Sequence, residues 1–312
     1  VTIIAGFSWS RHGLAPLQLA AQIAHSTGES VVATAIVERP WPPKGDPIED
    51  EYLRYVTAEA ERSLVRAVEQ LPADLDISVV VHQSTSVPKG LIEVTTTHDA
   101  SLVVVGSSSA GLMGRVALGS VTEWLVHTAA IPVAIAPRGY PQTLDRVTRL
   151  TAAYGGDADI EGLVPAIATL GQQWSTALRI ASFTVRPVWM SGGALESSAE
   201  SLVVAQWSRR MQEEAARQLE LVREHIHVGD VDVVVGSGHD WREAVEDITW
   251  EPGDVLVLGS GAAGQASRVF LGSAASKILR HSPVPTMIVP RHQLPIPQPA
   301  GAAAGHGGGG EL

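Results

Sequence analysis

Apolar residues along the chain follow two alternating rhythms, one dense and short, the other spaced three and four apart. The dense runs predict buried strands at Thr2–Phe7, Ser30–Val37, Ile77–His82, Leu102–Val105 and Pro132–Ala136. The spaced pattern predicts helices over Arg11–Ser26, Ile48–Leu71, Pro88–His98 and Ser120–Thr128. Residues 38–47 form a proline-rich loop between the second strand and the long second helix. The order then recurs. Strands are predicted at Arg149–Tyr154, Ala177–Val185, Val231–Val235, Val255–Leu258 and Thr286–Val289, with helices at Ile160–Gln173, Leu202–Ile226, Asp240–Thr249 and Ser273–Arg280. Five strands alternating with helices in each half predict a parallel α/β sheet covered on both faces.

The recurrence extends to residue identities. Residues 101–138 and 254–291 align without a gap at an offset of 153, with 14 of 38 positions identical. The identities include Gly106/Gly259, Ser107/Ser260, Arg115/Arg268, Gly119/Gly272 and Ser120/Ser273, and both stretches end on Pro-Arg. A period that long belongs to tandem domains rather than a solenoid. The boundaries are placed at 1–140 for domain 1 and 147–291 for domain 2. Residues 141–146 are read as a linker, and 292–312 as a flexible Pro/Gly/Ala tail.

Composition narrows the function classes. The chain has 312 residues and a net charge of −11, and the acidity is shared: residues 1–144 carry 9 cations and 14 anions, the remainder 13 and 19. Neither half is a basic arm, so nucleic acid and anionic membrane are poor partners. No apolar run reaches the length of a membrane span, and residues 1–10 lack the basic start of a secretory signal. Cysteine is absent, which removes disulfides and thiolate chemistry and fits a cytoplasmic protein. The 11 histidines show no i,i+4 ligand pair, so no metal site is expected. There is no GxSxG elbow, and the serine run Ser107–Ser109 has no evident base.

The repeated block is the candidate for chemistry. In each half a buried strand enters a Gly/Ser/Ala loop, and about thirteen residues later a Gly-Ser pair opens a helix. Ligands of open parallel sheets bind at the carboxyl ends of strands, and free amides at a helix start favour an anion. Ser120 and Ser273 suit an N-cap, and Arg115 and Arg268 could add charge-assisted contacts. The same residues would equally serve plain turns and caps. The loop is neither a Walker loop nor a GxGxxG fingerprint.

These residues resemble the universal stress protein family, whose motif runs Gly, two residues, Gly, nine residues, then Gly-Ser or Gly-Thr. Gly106, Ser109, Gly119 and Ser120 match it in one half, and Gly259, Ala262, Gly272 and Ser273 in the other. The proline-led last strands IPVAIAPR and VPTMIVPR also look like the family. The resemblance implies two doubly wound, five-stranded, Rossmann-like domains paired through their last strands as an internal pseudo-dimer. It implies a stress-response regulator or sensor that binds ATP or a related adenine nucleotide, with or without Mg²⁺; the sequence near the loops offers no positioned base or Mg²⁺ carboxylate, so a dedicated enzyme is not expected, while slow ATP hydrolysis stays open. Phosphate would sit on Gly106, Ser107 and Ser109 with Gly119, Ser120 and Val121, and on Gly259, Ser260 and Ala262 with Gly272, Ser273 and Ala274. Ser8 and Gly155 would flank adenine. The sequence departs from the family at Ser109 and Ala262, where the second motif glycine is expected, and at the place of an adenine-contacting Asp, which is Ser8 in one half and Gly155 or Gly156 in the other, with Asp157 and Asp159 slightly late. The alternative is a module that binds no nucleotide and meets an unknown protein partner. A further homodimer of the whole chain is compatible with either reading. Among the tryptophans, Trp9 and Trp41 are the two expected near a ligand, the others in packing.

Overall fold

The computed structural model describes residues 2–9, 13–40, 42, 46–108, 112–141, 146–154, 163–185, 231–259, 261–262, 269–270 and 273–290, with some helical positions between 202 and 223. The first half runs β1 (Thr2–Phe7), α1 (Ala15–Thr27), β2 (Ser30–Glu38), α2 (Pro47–Val68), β3 (Ile77–Ser84), α3 (Val87–Thr97), β4 (Ala100–Gly106), α4 (Ser120–Thr128) and β5 (Val133–Ala136). The second runs β6 (Arg149–Ala153), α5 (Leu163–Trp174), β7 (Ala177–Val185), β8 (Val231–Gly238), α6 (Trp241–Glu246), β9 (Asp254–Gly259), β10 (Gly261–Ala262), β11 (Val269–Phe270), α7 (Ser273–His281) and β12 (Thr286–Val289). The predicted helix 202–226 falls mostly outside the described residues, as do the tail and residues 142–145 of the linker.

The main-sheet strands within each half are parallel, in the order β3-β2-β1-β4-β5 and, mirrored, β12-β9-β6-β7-β8, while β10 and β11 form a separate pair. The two sets are not separate sheets. β5 and β12 pair antiparallel, with Ile135 opposite Thr286 and Val133 opposite Ile288, making one sheet of ten strands. The reason lies in their composition. VAIA and TMIV are buried along their whole length, and an unpaired edge of that kind would leave backbone groups unsatisfied and invite aggregation. Each satisfies the other.

The seam makes both cores continuous. On one face Ala134 and Ala136 join Met287 and Val289 under α1, α2 and α5; on the other, Val133 and Ile135 join Ile288 under α3, α4, α6 and α7. The ends of the linker are held against α1. Tyr140 Oη donates to Gln22 Oε1 at 2.5 Å, Gln22 Nε2 donates to the Arg146 carbonyl at 2.9 Å, and Val147 N–H donates to Ser26 Oγ at 2.8 Å.

A buried charge cluster lies at the amino ends of β6 and β9. Asp254 accepts Arg149 in bidentate fashion at 2.8 and 2.7 Å and Arg179 Nη2 at 3.2 Å. Arg179 also donates to Thr151 Oγ1 and the Thr249 carbonyl, and its guanidinium lies 4.9 Å from the centre of the Trp250 ring. Burial and the neighbouring Arg149 lower the Arg179 pKa, while the bond to Asp254 raises that of Arg149. At the offset of 153 the first half has only Ser101, whose hydroxyl donates to Glu29 Oε2 at 2.8 Å.

Candidate functional site

A cavity of roughly 200 Å³ opens at the carboxyl ends of β6, β7 and β9. Its floor is Ala153, Leu258 and Gly259, and the first turn of α7 contributes Ala274 and Ala275. β7 supplies Ser182, Phe183 and Thr184, and Tyr154 follows β6. Two indoles complete the walls, Trp207 from the helical positions after β7 and Trp241 from the first residue of α6.

The position of Trp241 is set by its neighbours. Gly236 on β8 lets α6 approach so closely that a Cβ there would stand 2.1 Å from the Ala244 carbonyl oxygen. Asp240 caps α6 by accepting Glu243 N–H at 2.8 Å, and Glu243 accepts the N–H of His239, the residue before the cap, at 2.8 Å. These backbone N–H bonds hold both carboxyls below the usual range. Lys277 Nζ stands 5.6 Å from the centre of the Trp241 ring. Thr184 Oγ1 is buried and has no hydrogen-bond partner among the described residues.

The expected site residues separate into three groups. Gly259 and Ala274 line the cavity. Ser273 is the first residue of α7, and Ala262 lies on β10, which pairs with β11 as a small antiparallel hairpin inside the glycine loop. That hairpin carries no period the sequence reading could detect. Ser109, Gly155, Ser260, Arg268 and Gly272 lie outside the described residues, as does Trp41.

The first-half residues are drawn into internal bonds. Ser107 Oγ accepts Ala117 N–H at 2.7 Å, Ser107 N–H donates to the Ala136 carbonyl at 2.9 Å, and Ser108 N–H donates to the Ala117 carbonyl at 2.8 Å. Thr122 Oγ1 donates to the Gly106 carbonyl at 3.3 Å. The N-cap of α4 is Gly119, extended and without a side-chain bond, and Ser120 is the first helical residue rather than the cap. Val121 packs against the core. Arg115 is turned to the other half: it donates to Glu246 Oε1 and to the His281 carbonyl. Ser8 is exposed just after β1. Trp9 packs against the core and is not part of the lining of this cavity. Trp207 and Trp241, expected in packing, are the ones that line it.

Register explains why the halves differ. Thr2 faces Ser30 and Arg149 faces Ala177, so Ala35, Ile36 and Val37 occupy the places of Ser182, Phe183 and Thr184. All three first-half residues are buried aliphatics. A second cavity, roughly 360 Å³, lies between Phe7, Leu14 and α2 in the first half and includes no glycine-loop residue. Among the described residues no cluster of His, Asp or Glu could hold a metal ion, and no helix is long and apolar enough to cross a membrane.

The model of the universal stress protein family matches residues 2–137 and 177–290. The chain belongs to the universal stress protein family. As a tandem member it carries two such domains. A universal stress protein of Mycobacterium tuberculosis is 31% identical over 296 residues, spanning 93% of this chain and all of the relative. A second one from the same organism is 25% identical over 249 residues, covering 78% of this chain and 82% of that one. Among solved structures, a universal stress protein from Archaeoglobus fulgidus has a TM-score of 0.51 at 15% identity, covering 93% of this chain and 96% of that one. A Pseudomonas aeruginosa protein described as functionally unknown has a TM-score of 0.55 at 12% identity, covering 93% and 92%. Both likenesses concern the fold of this universal stress protein.

Proposed function

We propose that the second domain binds an adenine nucleotide of the ATP class and that the protein acts as a regulator or sensor rather than as an enzyme. The observation that carries this reading is the cavity bounded by Gly259 and the first turn of α7. It lies at the carboxyl ends of parallel strands, where such sheets take ligands, and unbonded amides of a helix start suit phosphate. Ser260, Ala262, Gly272 and Ser273 are the further phosphate contacts of this reading, and Gly155 flanks the base.

The first domain has the weaker claim. Its Ser107 and Ser108 amides already serve the Ala136 and Ala117 carbonyls, and Arg115 serves Glu246. We therefore take Ser8, Gly106, Ser109, Gly119, Ser120 and Val121 as a vestige of the same loop. Domain boundaries at 1–140 and 147–291 accompany this reading, because β6 and α5 pack with the second set of strands. Mg²⁺, if it accompanies the nucleotide, would be held by phosphate oxygens and water.

The test is nucleotide content after purification, followed by calorimetric titration with ATP and AMP. Saturable heat from one site per chain is expected. No heat at millimolar nucleotide with folded protein overturns the reading. A second reading, a module that meets another protein, is favoured by the exposed stripe Ile48, Tyr52 and Tyr55, spaced i, i+4, i+7 along α2.

A further inference from the structure

We infer that the second-domain cavity grips a planar aromatic heterocycle by stacking it against the indoles of Trp207 and Trp241. This rests on the nucleotide reading and adds to it how the base is held. After β6 the sequence runs Tyr154-Gly155-Gly156, and the first carboxylate, Asp157, comes only three residues after Tyr154. The described walls of the cavity are what can hold a ring. Two of those walls are indoles, brought in from separate elements on either side of β8 in sequence.

Three observations support a stacking site. Trp207 lines the cavity yet is 52% exposed, which leaves a large apolar face without protein against it. Trp241 is held firmly: the Asp240 cap on Glu243 N–H fixes its backbone, Gly236 and Ala244 set its depth, and Lys277 stands over its ring. A fixed ring loses little freedom when a base stacks on it. The lining offers few polar side chains besides the indoles: Tyr154 after β6, and Ser182 and Thr184 on β7. The first domain has Ile36 and Val37 in place of Phe183 and Thr184, so the arrangement is particular to the second.

Stacking tolerates any base, because each presents a π-face, whereas a carboxylate would single out adenine. The predicted ligands are therefore purine nucleotides as a class, with AMP and GMP bound within about tenfold of each other, and ribose 5-phosphate bound at least tenfold more weakly.

The experiment is calorimetry and tryptophan fluorescence on the full chain with AMP, GMP and ribose 5-phosphate. AMP should quench the emission of the wild type, and Trp207→Ala should weaken AMP about tenfold while leaving the melting temperature unchanged, since the ring is exposed. Trp241→Phe keeps an aromatic face and should retain most of the affinity where Trp241→Ala does not. Wild-type AMP affinity in folded Trp207→Ala and Trp241→Ala overturns the stacking proposal while the nucleotide reading stands. Equal binding of ribose 5-phosphate and AMP does the same. A wild type that binds none of the three overturns both.

Discussion

Arg115, in the glycine loop of the first domain, donates to Glu246 Oε1 on α6 of the second at 2.5 Å, and its other terminal nitrogen reaches the carbonyl of His281 at the end of α7. The same arginine that a motif reading assigns to phosphate is a tie between the domains. Its partners lie 131 and 166 residues away, so no local pattern announces them.

Arg115→Ala should loosen this tie. Glu246 is 41% exposed, so water screens the pair and the net loss is about 1 kcal/mol. For a chain of this size that corresponds to a fall in melting temperature of roughly 2 °C. The difference between wild type and variant should shrink in 1 M salt, where exposed charges are screened within ~3 Å. Unchanged melting at low salt would show that the bridge adds nothing.

The charge cluster at Asp254 should behave otherwise. Asp254 is 1% exposed and Arg179 4%, and Asp254→Asn preserves the shape while removing the only carboxylate that touches both guanidiniums at under 3.5 Å among the described residues. Leaving buried cations unpaired costs about 3–5 kcal/mol. Ser101→Ala, at the equivalent place in the first domain, removes one hydrogen bond and should cost about 1 kcal/mol. Urea denaturation of both variants measures the contrast, and equal losses would contradict it.

Tyr140 supplies a pH-dependent signature. Burial pushes its phenol up to about 12, only partly offset by the bond to Gln22. The ordinary value is about 10, so the folded state holds the proton longer than the unfolded chain does. That contribution to stability is complete below about pH 10 and is lost as pH rises toward 12. Tyr140→Phe cannot ionise. Its melting temperature should lie below that of the wild type at pH 8, and the gap should close between pH 10 and 12. Absorbance at the phenolate band should show one late-titrating step in the wild type that is missing in the variant.

Much of this was legible from the chain alone. Thr2–Phe7, Ala177–Val185 and Thr286–Val289 are strands over the expected residues, because a buried parallel strand needs an unbroken apolar run. Helix ends were less legible. The first helix begins at Ala15 rather than Arg11, with Pro16 in its first turn, and the strand predicted to end at His82 continues to Ser84 while it pairs with β2. Trp207 and Trp241 gave no motif, since a tryptophan in a cavity wall and one in a core have the same sequence neighbours.

The amino-acid sequence by itself determined that one α/β unit is written twice, that each copy gives five strands to the main sheet, and that a glycine loop follows the fourth of these in each. These are consequences of local periodicity and of an offset repeat. Only the tertiary structure decided that β5 and β12 fuse the sheets, that Arg115 ties the domains, and that a cavity with two indole walls lies in the second domain. Those outcomes depend on contacts between residues more than a hundred positions apart, where packing and hydrogen-bond satisfaction choose among partners that local pattern leaves equivalent.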